Sequence, residues 1–219
     1  GVFEEYLRDY INEFSHKAID TYQWREHLYK YFEAQKDILD SIDIPTWLFE
    51  VGMPPIKPKY DEGMVVDCDK LIKEWIDADE RTVKSINRDI YESMKPLQQI
   101  ECLSQLWQHD PPIEHYKLDA LNSLYSLNES ENCEILLNWI RLCIKSRWEP
   151  IVPRALRFLN SQGRLKYCRP VYRDLSGWSL YAKDVRENFL RCRQLMHPIT
   201  AEMISKELHL RHHTHTVCF

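Results

Sequence analysis

Four cations crowd one short stretch of this 219-residue chain. Arg164 and Lys166 stand two positions apart directly after Gly163, and Arg169 and Arg173 follow one and two helical turns further on. An arginine can hold a carboxylate through two parallel hydrogen bonds, and a lysine adds a compact point charge. A pair of cations leaving a helix end can point together at one anion, so Arg164 and Lys166 are candidate carboxylate ligands. Two other readings compete for the same residues. One is an ordinary solvated cationic face, which the residues taken alone favour. The other is a nucleic-acid surface, because Trp148, Tyr167 and Tyr172 interleave with the cations. Those aromatics sit where helix packing would use them and the rest of the chain is acidic, which argues against nucleic acid.

Other chemistry is missing from the visible sequence. A zinc hydrolase needs two histidines one helical turn apart beside a glutamate, and no H-E-x-x-H occurs. His27 follows Glu26 but has no partner histidine at a useful spacing. There is no G-x-S-x-G, P-loop or G-x-G-x-x-G, and five glycines leave little from which to build a phosphate cradle. The sequence therefore assigns this chain no catalytic residue and no metal ligand. The tail HLRHHTHTVCF gathers His209, His212, His213 and His215. Imidazoles so spaced can hold a transition metal weakly, but chain ends are seldom ordered, and residues 211–219 read as a disordered tail.

Charge and composition narrow the class. Residues 1–144 carry 15 Lys and Arg against 28 Asp and Glu, whereas residues 145–193 carry 12 against 4. A basic segment in an acidic chain is a local anion site or an interface, not a general attraction to polyanions. An apolar fraction of 44% with seven tryptophans can fill a core. No apolar run approaches the ~20 residues of a membrane span, so no membrane partner is expected. The seven cysteines are odd in number, scattered and without a C-x-x-C pair, as for reduced structural thiols in a cytoplasmic protein. No secretory signal is present, and the chain opens inside an amphipathic pattern, as a piece of a longer protein would.

The elements that must position the cations are helical throughout. Apolar residues at Leu136, Trp139, Ile140, Cys143 and Ile144 share one side of a 3.6-residue period, and Val152, Ala155, Leu156 and Leu159 repeat the pattern after Pro150 and Pro153. Gly163 is expected to stop that second helix through a positive φ. Upstream, Phe3, Tyr6, Leu7, Tyr10 and Phe14 stripe a first helix. Trp24, Leu28, Tyr31 and Phe32 stripe a second, capped by Asp20 or Thr21. Pro45 should start a short helix with Trp47, Leu48 and Val51 inward and Gly52 as its stop. Three prolines within GMPPIKPKYD then make a stiff linker. Beyond it come Val65, Leu71, Ile72 and Trp75, then Ile100, Leu103 and Leu106, then Leu118, Leu121 and Leu124. Val171 to Leu175, Val185 and Phe189, and finally Ile204 and Leu208 close the series. Helices of this length joined by short loops, with no alternating pattern, indicate an all-α fold. Seven or more exceed a four-helix bundle, so an armadillo/HEAT-like α-α superhelix of antiparallel helix pairs is expected.

Four blocks carry a resemblance over residues 1–210: EYLRDYINEFSHKAI, WLFEVGMPPIKPKYD, NWIRLCIKSRWEPIVPRALRFLNSQGRLKYCRPVYRDL and MHPITAEMISKELHL. They resemble the C-terminal region of the leukotriene A(4) hydrolase and aminopeptidase B family of zinc aminopeptidases. The resemblance implies that residues 1–42 are the terminal helices of an upstream thermolysin-like catalytic domain. Residues 43–61 would be the proline-rich linker and 62–210 the helical C-terminal domain, closing one side of the active-site cleft. The family's G-R-x-K element matches Gly163, Arg164, Leu165 and Lys166, which assigns Arg164 and Lys166 to the free carboxylate of a peptide or lipid-epoxide substrate. The family's H-E-x-x-H, G-x-M-E-N and transition-state tyrosine lie upstream and are missing here. Zinc is thus expected in the full-length enzyme only, with none bound by this chain. A free-standing helical protein-interaction scaffold without peptidase activity is the alternative.

Overall fold

A computed structural model describes residues 1–210, so the histidines at 212, 213 and 215 and the expected disordered tail lie outside the described residues. The chain divides into two compact units, Gly1–Tyr60 and the segment from Asp61 onward. Every regular element among the described residues is a helix.

The first unit holds α1 (Val2–Phe14), α2 (Thr21–Tyr31), α3 (Lys36–Asp40) and α4 (Ile44–Phe49). Asp20 caps α2 as half of a capping box: its Oδ1 accepts from the Gln23 amide at 2.8 Å, and Gln23 Oε1 accepts from the Asp20 amide at 2.9 Å. Tyr6 is the centre of this unit, its ring 5.3 Å from both Tyr31 and Phe32. Around it the apolar stripes stay open. Phe3 is 62% exposed and Ile38 65%, and they border an apolar groove of about 600 Å³ with Leu7, Trp24 and Ile42. The expected inward face of α4 is not found: Trp47 and Leu48 are exposed and Val51 is 96% exposed. Nor is Gly52 its stop. The helix ends at Phe49, and Gly52 takes its positive φ of 111° in the turn beyond. A periodic apolar stripe records which residues want cover, and this unit supplies none for them.

The second unit runs α5 (Gly63–Asp77), α6 (Arg88–Ser93), α7 (Pro96–Gln108), α8 (His115–Tyr125), α9 (Cys133–Lys145), α10 (Val152–Ser161), α11 (Leu165–Ser176), α12 (Ala182–Cys192) and α13 (Pro198–Glu207). Alternate helices stack: α5 on α7, α7 on α9, α9 on α11 and α11 on α13 form one layer, while α6 packs on α8 and α10 on α12 in the other. This is the superhelical stacking of helix pairs anticipated from the periodicity. The stripe of α5 begins at Cys68; Val65, expected inward, is exposed.

Within the first layer the helices run the same way, as their end contacts record. Gln98 Nε2, in the first turn of α7, donates to the Met64 carbonyl at the start of α5 at 3.2 Å. Lys145, ending α9, donates to the carbonyls of Trp107 and His109 at the end of α7, each at 2.7 Å. Arg147, just past α9, donates to the Gly177 carbonyl just past α11 at 3.0 Å. Alignment of the C-terminal ends also brings the N-terminal ends of these helices to one common edge.

The core centres on α9. Ile135, Leu136, Trp139, Ile140, Leu142 and Cys143 are all buried, so the helix is apolar on more than one face. Such a helix needs neighbours on several sides, and α7, α11 and α10 supply them. Its N-terminus is fixed by Asn132, whose Oδ1 accepts from the Glu134 amide at 3.0 Å.

Candidate functional site

The cations do not leave the end of a helix, as their position after Gly163 suggested. α10 ends at Ser161, Gln162 is extended, and Arg164 is the N-cap of α11, with Lys166 in its first turn. Gly163 is not at positive φ, and a Cβ built there meets nothing within 4 Å. Neither conformation nor packing among the described residues demands glycine at this position. The stretch that carries the cations is helical from Leu165, with Pro170 inside it. That proline removes the amide that would bond to the Lys166 carbonyl, yet the helix continues where it packs between α9 and α13.

The segment before α11 is tied down from three sides. Gln162 Nε2 donates to Cys133 Sγ at 3.2 Å, and the Cys168 thiol donates to the Gln162 carbonyl at 3.1 Å. Thr200 Oγ1, in the first turn of α13, donates to the Gly163 carbonyl at 3.4 Å. The starts of α9, α11 and α13 thus meet around residues 162–167. Arg164 contributes no side-chain cap to α11. An uncapped helix start presents free amides and the positive end of the helix dipole, and two cations placed there add to a field that already favours an anion.

The four cations fare differently. Arg169 pairs with Glu207 at 2.6 Å, and Arg173 lies 3.4 Å from Asp174, which also accepts from Arg141 at 2.7 Å. Lys166 is bonded to Glu134 in the first turn of α9. Among the described residues only Arg164 of the four has no carboxylate within ion-pair distance. Its guanidinium lies 6.0 Å from the centre of the Tyr167 ring. Both candidate side chains are exposed at this edge, but Lys166 already has a carboxylate of its own in Glu134. The reason is the parallel run of α9 and α11, which sets Glu134 beside Lys166 across 32 residues of sequence.

Glu134 and Tyr167 complete the group, and sequence reasoning assigned neither a role. Glu134 Oε1 accepts from Lys166 Nζ and from the Tyr167 hydroxyl at 2.9 Å. The Lys166 hydrogen bond, then that of Tyr167 and the nearby Arg164 charge, hold the Glu134 carboxyl below its ordinary range, against a partial opposing effect of burial. The same bond to Glu134 raises the Tyr167 phenol. Tyr167 was visible as an aromatic among cations. Glu134 carried no local signal, because only the helix register gives it partners.

Elsewhere the described residues hold no cluster of three His, Cys, Asp or Glu side chains able to bind a metal ion. His27 Nε2 meets Asp9 at 3.0 Å in the first unit. No described helix is long and apolar enough to cross a membrane.

Residues 94–208 match the family model described as leukotriene A4 hydrolase, C-terminal. Leukotriene A-4 hydrolase of Xenopus laevis is 37% identical over 210 residues, covering 95% of this chain and 34% of its own length. Leucine aminopeptidase 2-2 of Meyerozyma guilliermondii is 30% identical over 217 residues, again covering 95% of this chain and 34% of its own length. The solved structure of yeast LTA4 hydrolase in complex with bestatin superposes with a TM-score of 0.82 at 25% identity, covering 94% of this chain and 35% of that one. The chain thus spans about a third of the length of these relatives. With the family model matching more than half of its residues, the chain belongs to the leukotriene A4 hydrolase C-terminal domain family.

Proposed function

We propose that this chain is the C-terminal, non-catalytic region of a cytoplasmic zinc aminopeptidase, and that Arg164 binds the free carboxylate of its substrate. The observation that carries the reading is the guanidinium of Arg164, without a carboxylate partner among the described residues, at the uncapped start of α11, where the positive end of the helix adds to its charge. Lys166 contributes charge beside it while bonded to Glu134. A glycine at 163 that nothing among the described residues requires leaves the backbone open to close approach by a ligand.

In this reading residues 1–42 are the last helices of an upstream catalytic domain, residues 43–61 the linker, and 62–210 the domain that closes one side of the cleft. The open groove beside Phe3 and Ile38 agrees with a missing partner surface, since contiguous apolar exposure of a few hundred Å² marks an interface. Zinc is assigned to the upstream domain, where the resemblance puts the family's H-E-x-x-H. The names of the relatives, a leukotriene A-4 hydrolase and a leucine aminopeptidase, set the substrate classes to try first.

The test alters the substrate and leaves the protein intact. In the full-length enzyme, a tripeptide with a free C-terminal carboxylate should show a KM roughly ten- to a hundredfold lower than its C-terminal amide, the usual worth of one charge-assisted contact. Equal KM values for acid and amide would remove the carboxylate site from the account.

A further inference from the structure

Glu134 places a negative charge inside the cation cluster, and the carboxylate reading of Arg164 gives it no part. Its carboxylate binds Lys166 and the Tyr167 hydroxyl through one oxygen, Oε1. The other oxygen has no hydrogen bond among the described residues. Resting on that reading of Arg164, we propose that Glu134 is a specificity-determining residue. It is an internal carboxylate that engages Lys166, reduces the site from two net positive charges to one, and so fits it to substrates bearing a single carboxylate.

The geometry supports this in three ways. First, Glu134 is built into place: its backbone amide is fixed by the Asn132 cap at 3.0 Å, and its side chain crosses from α9 to two residues in the first turn of α11. Second, the field of Lys166, Tyr167 and Arg164 keeps it ionised at neutral pH. Third, Glu134 and Lys166 are 32% and 53% exposed, so an arriving carboxylate can compete for the ammonium without entering a closed core. A ligand with two negative charges would meet the same ammonium but also the repulsion of Glu134. A pair of like charges at contact range in a partly exposed setting is worth about a factor of three to ten.

Glu134→Gln in the full-length enzyme tests the proposal, because it keeps the shape and one accepting oxygen while the charge is lost and the second oxygen becomes an amide NH2. Three tripeptide substrates are compared: one ending in Asn with a free carboxylate, its C-terminal amide, and one ending in Asp. The variant should lower KM about threefold to tenfold for the Asn-ended acid and further for the Asp-ended peptide, with kcat and the amide unchanged. An unchanged or raised KM for the acids, or an equal shift on the amide, would overturn it. The wild-type enzyme gives a readout that needs no variant: the Asp-ended peptide should have a KM no lower than the Asn-ended one. A KM several-fold lower would also overturn the proposal. Arg164→Ala measured alongside separates the two levels. If its loss falls equally on acid and amide, the carboxylate site itself fails. If its loss falls on the acid alone while Glu134→Gln does not lower KM, only the role of Glu134 fails.

Discussion

Arg164→Ala in the full-length enzyme should cut kcat/KM on free-carboxylate peptides by roughly ten- to a hundredfold and leave amino-acid amides almost unaffected. The size follows from the loss of one charge-assisted hydrogen-bonded contact, about 1.5–3 kcal/mol. The selectivity follows from the surroundings of Arg164. It is exposed, has no carboxylate partner among the described residues, and makes only a distant approach to the Tyr167 ring at 6.0 Å. Its removal therefore leaves no buried charge unpaired, and stability should hold within about 0.5 kcal/mol, as for surface changes in general. Lys166→Ala is a poorer probe, because it also strips Glu134 of its ion pair. Steady-state kinetics on paired acid and amide substrates read the result. An equal loss on both would mean that Arg164 serves the fold.

The largest effect on stability should come from Trp139→Ala. Trp139 has no exposed surface, lies in the central helix α9, and donates from Nε1 to Asn128 Oδ1 at 2.8 Å. Its ring also contacts Trp148, with centroids 5.7 Å apart. Truncating a buried tryptophan costs about 3–5 kcal/mol through lost transfer energy and the cavity left behind. The stranded Asn128 oxygen adds to this. Trp139→Phe keeps most of the packing but loses the same hydrogen bond, so it should cost clearly less than the alanine variant. Equilibrium urea unfolding of the chain distinguishes them, with lower midpoints at a similar slope. A loss below about 1.5 kcal/mol for the alanine variant would show that α9 is not the centre of the core.

Much of this arrangement is legible along the chain, and what is not has a physical cause. The stripe of α9 is readable because a helix buried on several sides must be apolar at nearly every turn, as Ile135, Leu136, Trp139 and Ile140 are. Asp20 as a cap and Pro96 and Pro198 as helix starts are local chemistry, and each lies where that chemistry puts it. Direction is harder to read. Val65, Trp47, Leu48 and Val51 are apolar and periodic, yet exposed, because periodicity does not state what covers a face. At the site, a glycine followed by cations suggested a helix stop with the cations leaving that helix's end. Packing against α9 and α13 instead carries α11 through Pro170 and moves Arg164 and Lys166 to a helix start. The pairing of Lys166 with Glu134 depends on the register of two parallel helices, a tertiary fact with no signature in spacing.

A crystal structure of the full-length enzyme with a tripeptide analogue, its scissile bond replaced by a non-hydrolysable link, is the most direct test of the carboxylate site. The C-terminal carboxylate should lie about 2.7–3.2 Å from the guanidinium nitrogens of Arg164 at the start of α11. Glu134 should remain between Lys166 and Tyr167. A carboxylate held elsewhere, or an Arg164 engaged by a carboxylate of the enzyme itself, would contradict the account.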